Sequence, residues 1–222
     1  MKQVFFNEDG TLNVSQLGKS LILAMMLLPP LMGYAQQEDD NSFGGWHFVE
    51  IAHKFGNSNV TGMLYFEHEN YQYKRLDCWY LRPGIRYSVL PWLKLGLSYD
   101  YLKVPDTYGH RLVPEVTGTL KEGRLSVSLR FRYLHTWKPE LHTQDDELRT
   151  RLLVSYRIPN LKLMPYVATE AFTWGNEWRK TRNYVACTYD VTNYMQAEAF
   201  YMLTFSNQKT QHILGFGLNF TI

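Results

Sequence analysis

Residues 124–133 read RLSVSLRFRY, and taking alternate positions sorts them completely. Leu125, Val127, Leu129, Phe131 and Tyr133 form one set; Arg124, Ser126, Ser128, Arg130 and Arg132 form the other. Side chains along a strand point alternately to its two faces. This stretch is therefore a strand with one wholly apolar face and one face carrying three arginines. The contrast recurs down the chain. Leu81, Ile85, Tyr87 and Val89 oppose Tyr80, Arg82, Gly84, Arg86 and Ser88. Leu93, Leu95, Leu97, Tyr99 and Tyr101 oppose Lys94, Gly96, Ser98 and Asp100. Leu112, Val116 and Leu120 oppose Arg111, Glu115, Thr117 and Thr119. Leu152, Val154 and Tyr156 oppose Arg149, Arg151, Ser155 and Arg157. Val185, Cys187 and Tyr189 oppose Arg182, Ala186, Thr188 and Asp190. In the last segment Leu214, Phe216, Leu218, Phe220 and Ile222 oppose Gly215, Gly217, Asn219 and Thr221. An all-β fold follows: a closed antiparallel transmembrane β-barrel with a lipid-facing outside and a lumen lined by Arg and Glu.

Connections between the segments alternate in length. Tight ones fall at Leu90-Pro91, Lys121-Glu122-Gly123, Pro159-Asn160 and Asp190-Val191-Thr192. Longer ones fall at 71–77, 105–109, 135–147, 175–180 and 206–209. Barrels of the outer membrane have short periplasmic turns and longer extracellular loops, which would set the C-terminus on the periplasmic side. Eleven candidate strands can be counted, the first being the imperfectly alternating 46–55. With both ends periplasmic the count must be even, so the pattern predicts ten to twelve strands.

Only one run is continuously apolar, 21–32 (LILAMMLLPPLM). It follows Lys19 and leads to Gly33-Tyr34-Ala35, the arrangement of an export signal with a small-x-small cleavage site. It is too short for a membrane helix, which needs about 20 apolar residues. The organisation expected is a signal peptide over 1–35, a flexible N-terminal segment over 36–43 and an outer-membrane barrel over 44–222. An export signal followed by alternating strands points to a Gram-negative outer membrane. No cysteine stands at the cleavage site to carry a lipid anchor.

Composition changes this picture little. A net charge of +2 gives no bulk basic field, so nucleic acid is not an expected partner. Aromatic residues make up 15% of the chain, in keeping with the ring girdles that barrels place at both membrane interfaces. The expected partners are outer-membrane lipid and the barrel-assembly machinery, the latter through the C-terminal strand.

Face parity places a charge network in the lumen. Its core is Arg82, Arg86, Arg111, Glu115, Arg130, Arg132, Arg149, Arg151, Glu170, Arg182 and Glu198. Arg124, Arg157, Glu67, Glu69, Asp100 and Asp190 share the same parity. The structural reading is that paired charges fill a narrow barrel, because an unpaired buried charge is costly. Arg suits this use, since its planar fork binds carboxylates bidentately and keeps its charge. The functional alternative is a small anion-preferring pore. Arg130 and Glu170 lie two strands apart, so about 10 Å at the backbone. Their long side chains can meet over the strand between, making Glu170 an acidic hub for the arginines around it. In the last strand Gly215 should face the lumen and Leu218 the lipid, so an Asp should be tolerated only at Gly215.

A catalytic reading finds little support. His110, His135, His142 and His212 sit near segment ends with no Ser beside them on the outward face, where an outer-membrane lipid-modifying enzyme would need a nucleophile and base in reach. No His-x-His or Cys-x-x-Cys spacing suggests a metal. Cys78 and Cys187 fall on opposite faces and are expected to stay free. No cofactor is expected.

Several short marks occur in order from Leu81 to the end. They are Arg130-Phe131-Arg132, Leu148-Arg149-Thr150-Arg151, Pro165-Tyr166 followed by Glu170-Ala171-Phe172, and Arg182-Asn183 ahead of Ala186-Cys187-Thr188-Tyr189. In this order they resemble a domain-of-unknown-function family of bacterial outer-membrane barrels. The resemblance implies the barrel fold and the outer-membrane location, and it implies no activity. The chain departs from the pattern at Tyr184, where Arg is expected, and at Ile222, where the last residue is usually aromatic.

Overall fold

The computed structural model describes residues 42–71, 75–175, 177–207 and 210–222. These residues form β1 (Ser42–Lys54), β2 (Val60–Tyr71), β3 (Arg75–Leu90), β4 (Leu93–Val104), β5 (Thr107–Glu122) and β6 (Leu125–Lys138). After a single 3-10 turn (Pro139–Leu141) follow β7 (Thr143–Tyr156), β8 (Leu163–Trp174), β9 (Glu177–Asp190), β10 (Met195–Ser206) and β11 (Thr210–Thr221). Each strand pairs antiparallel with the next, and the ring closes with β1 beside β11.

That closing pair is parallel, in register from Ser42↔Gln211 to Ala52↔Thr221. The wall is therefore not antiparallel throughout, and an even strand count is not required. In hydrocarbon no water can satisfy a free strand edge, so closure outweighs the small advantage of an antiparallel partner. The seam also draws in Ser42 and Phe43, which the sequence assigned to a flexible segment; they sit in the ladder opposite Gln211 and His212. The expected export signal lies outside the described residues.

Several of the expected loops, 71–77, 105–109, 135–147 and 175–180, are largely strand. β6 and β7 pair as far out as Lys138↔Thr143, with His142 in the left-handed region (φ 49) closing the turn. β4 and β5 run on to Val104↔Thr107. Composition here is polar and reads as loop, yet the ladder continues because hydrogen bonding does not depend on an apolar face. At the opposite rim the connections run from two residues (91–92 and 123–124) to six (157–162), so the expected contrast between short and long connections does not hold. Gly123 (φ 55) and Asn160 (φ 60) take the left-handed conformation that such hairpins demand.

The burial pattern is inverted relative to a water-soluble protein. Phe216 is 60% exposed on the outer face while Arg82 is 3% exposed within. Leu64, Phe66, Ile85, Leu97, Leu129, Phe131, Val185 and Leu214 are likewise exposed outside. Such a surface suits a lipid solvent, with the backbone satisfied around the ring. Near the long-hairpin rim, Trp79, Tyr99, Tyr101, Tyr108, His110 and Trp137 stack side by side, with centroids 5.7 Å apart for Trp79–Tyr101 and 5.6 Å for His110–Trp137. Amphipathic rings at this height match an interfacial belt.

The lumen has an apolar sector as well as a charged one. Tyr166, Tyr184, Phe200, Met202 and Ile213 pack together, with Trp46 and Phe48 against them. Gly215 and Gly217 make this possible. A Cβ at Gly215 would lie 1.9 Å from the Phe200 ring, and one at Gly217 would lie 2.1 Å from the Phe48 ring. Gly215 faces inward, but the space an Asp would need is filled by Phe200, so the expected tolerance there does not hold.

Candidate functional site: the arginine-lined lumen

β6 and β7 set the electrostatic problem. Their register opposes Arg130 to Arg151 and Arg132 to Arg149. Like charges directly across a ladder repel, so carboxylates must come from elsewhere. β8 supplies Glu170, the register partner of Arg151 on one side and of Arg182 on the other. Arg130 reaches over β7 and donates from Nη2 to Glu170 Oε1 at 3.0 Å. Tyr184 donates to the other oxygen, Oε2, at 3.2 Å. Arg132 Nε donates to Glu115 Oε2 at 2.7 Å, and Arg149 Nε donates to Glu147 Oε1 at 2.6 Å.

Further round the wall, Arg82 grips Asp100 with its whole fork, Nε to Oδ1 at 2.6 Å and Nη2 to Oδ2 at 2.8 Å. Arg111 Nη1 touches the same Oδ2 at 3.4 Å and its Nε donates to Thr136. Arg86 forks onto Glu50 at 2.8 and 3.1 Å and lies 3.7 Å from Glu115. Glu198 accepts from the Tyr166 hydroxyl at 2.6 Å, and Glu67 accepts from Tyr65. Two arginines rest on rings instead of carboxylates. Arg182 lies 4.8 Å from the Trp46 centroid and 4.9 Å from that of Phe172, and Arg151 lies 5.0 Å from that of Tyr184. Desolvated guanidinium–ring contacts of this kind are worth about 2 kcal/mol.

All eleven residues of the expected network thus point inward, though not as one cluster. Arg111 and Arg82 converge on Asp100, while Arg130, Arg151 and Arg182 surround Glu170. Three residues given lumen parity, Arg124, Arg157 and Asp190, do not reach it. Arg124 is exposed in its turn. Arg157 is 52% exposed and pairs with Asp190 at the tight-turn rim, 2.9 Å away. Glu50 and Glu147 were missed. Glu50 hid in a strand with imperfect alternation, and Glu147 in a stretch read as loop. Parity carried past the apparent strand end finds Glu147, which shares a face with Arg149, and parity applied within 46–55 finds Glu50, which shares a face with Phe48.

A septum of inward side chains from five strands is almost wholly buried. Asp100, Phe172 and Met202 have no exposed surface, and Glu67 and Arg82 have almost none. Leu102, Val113 and Leu134 are also buried. Between this septum and the tight-turn rim lies a cavity of about 310 Å³, lined by seven arginines against four glutamates. A second cavity of about 220 Å³, reached past Lys94, Thr117 and Ser128, shares Arg86, Arg130, Arg151 and Leu153 with the first. Among the described residues no cluster of His, Cys, Asp and Glu could hold a metal, and both cysteines are free thiols.

The fold has relatives among solved structures. The NanC porin aligns with a TM-score of 0.50 and 11% identity, over 72% of this chain and 85% of that one. The KdgM porin aligns with a TM-score of 0.48 and 13% identity, over 73% and 85%. The outer membrane channel DcaP of Acinetobacter baumannii gives 0.39 and 13%, over 72% and 65%. At these identities the likeness is one of fold: a porin-type barrel. No curated protein matches. Residues 43–213 match a family model described as "Protein of unknown function (DUF2490)", and the chain belongs to that family.

Proposed function

We propose that this protein is a non-enzymatic barrel of a Gram-negative outer membrane, closed to solutes in its resting state and acting through structure or interaction. In this reading the tight turns and the C-terminus face the periplasm and the long hairpins face outward. Outer-membrane lipid surrounds the apolar wall, and β11 is the strand presented to the barrel-assembly machinery. The observation that carries the reading is the septum, where Asp100, Phe172 and Met202 are wholly buried. A lumen conducting water would leave such inward groups wet. Small barrels are readily filled by their own side chains.

A second reading, a small anion-preferring pore, is favoured by the excess of arginine in the lower cavity. Purified protein in planar bilayers separates the two. The closed barrel is expected to give no unitary steps in chloride or gluconate salts. Steps carrying more anion than cation current would replace this reading with the pore.

A further inference from the structure

The four arginines that β6 and β7 oppose are not equally answered. Glu170, Glu115 and Glu147 serve Arg130, Arg132 and Arg149. Among the described residues Arg151 has no carboxylate at ion-pair distance. Its register partner is Glu170, but Arg130 and Tyr184 occupy the two oxygens of that carboxylate. Its guanidinium rests on the rings of Tyr184 and Tyr166, 5.0 and 5.9 Å from their centroids. The Nε atoms of Arg151 and Arg130 are both buried and both lack an acceptor. A buried donor without a partner is costly, more so on a cation. The deficit lies beside open space. Arg86, Arg130 and Arg151 line both cavities, at the neck where the two adjoin. The smaller cavity is also lined by Ser128, Thr117, Glu115, which Arg132 pairs, and Lys94, whose side chain is exposed near the tight-turn rim.

We propose that this neck is a binding site for a small oxyanion, a carboxylate or phosphate group, held by Arg151 and Arg130 and admitted past Lys94. The anion supplies the acceptors that the Nε atoms lack and a second negative charge beside Glu170. Arginine forks suit planar carboxylate and tetrahedral phosphate alike. The cavity volume is at the small end for ligand pockets, so the anionic head is carried on a small body. The site stands whether the septum is closed or conducting, because it lies wholly on one side of it.

The test is titration of the folded, detergent-solubilised barrel with inorganic phosphate and, separately, acetate, at constant ionic strength set by chloride. Binding is read by calorimetry and by the unfolding temperature. A saturable signal at one site is expected from at least one of the two anions, and which one responds assigns the head group. Arg151→Gln is expected to weaken it at least tenfold. Lys94→Glu, at the exposed mouth, is expected to fold normally and to weaken it several-fold by repulsion. Arg157→Gln, outside the lumen, is expected to leave it unchanged. No saturable signal from either anion overturns the proposal. So does a signal that Lys94→Glu and Arg151→Gln leave intact, or one that Arg157→Gln abolishes. If Arg151→Gln fails to fold, the Lys94→Glu result decides alone. Bilayer conductance plays no part in this readout, so failure here is separate from failure of the closed-barrel reading.

Discussion

The wall from β3 to β8 and the wall from β9 round to β1 solve the same problem differently. The first fills its share of the lumen with charge. Arg82, Arg86, Arg130 and Arg132 each reach a carboxylate on another strand. The second fills it with shape: Phe200, Met202, Ile213, Trp46 and Phe48, seated over two glycines. In the charged sector a side chain is fixed by partners that must be present in the right protonation state and register. In the apolar sector it is fixed by volume alone. Damage should therefore spread differently. Removing one carboxylate leaves several cations stranded, whereas adding a methyl group displaces one ring.

The largest effect is expected from Glu170→Gln. Arg130 loses its partner and Arg151 and Arg182 lose the carboxylate opposite them in the ladder, so the cost should approach the roughly 3–5 kcal/mol of a broken buried pair. The readout is the temperature at which the compact, fast-migrating barrel becomes the unfolded band on a gel. An unchanged temperature would mean the charges are solvated, erasing the distinction between the two walls. A smaller effect is expected from Gly215→Ala, about 1–3 kcal/mol of overpacking as the Phe200 ring gives way. Trimming that ring in Gly215→Ala/Phe200→Leu should recover part of the loss. If the double variant is no better than the sum of the singles, the ring is not what the glycine accommodates. The smallest is expected at the rim, where Arg157→Gln removes an exposed pair with Asp190 and should cost about 0–1 kcal/mol. A drop as large as that of Glu170→Gln would show that depth in the lumen is not what sets the cost.

How much of this was legible in the sequence differs between the walls in the same way. Alternation reports which face meets lipid, so the inward placing of Arg82, Arg130, Arg149 and Glu170 followed from parity. The reach of Arg130 to Glu170 followed from strand spacing. What parity does not encode is height. It placed Arg157 beside Arg151 on one face, yet only one is inside the barrel. It could not say that Glu170 would be occupied by Arg130 and Tyr184, leaving Arg151 on rings, because that depends on stagger between strands. In the apolar sector parity put Gly215 inward correctly but carried no news of Phe200, one strand away. The septum is not legible in this way, because Phe172 and Met202, like Leu102, Val113 and Leu134, are hydrophobic residues of the inner face, which an apolar-against-polar alternation does not mark.

The parallel seam fixes where handles can be attached. In an even, fully antiparallel barrel the first and last strands start and finish at one rim, and a short linker can join them. Here β1 starts beside the start of β11, so Ser42 and Thr221 stand at opposite rims. A linker uniting them would have to travel the height of the wall, about 40 Å for a strand of 13 residues. Circular permutants made with the usual few-residue bridge should therefore fail to close. Peptide tags placed just ahead of β1 and just after β11 would emerge on opposite sides of the membrane.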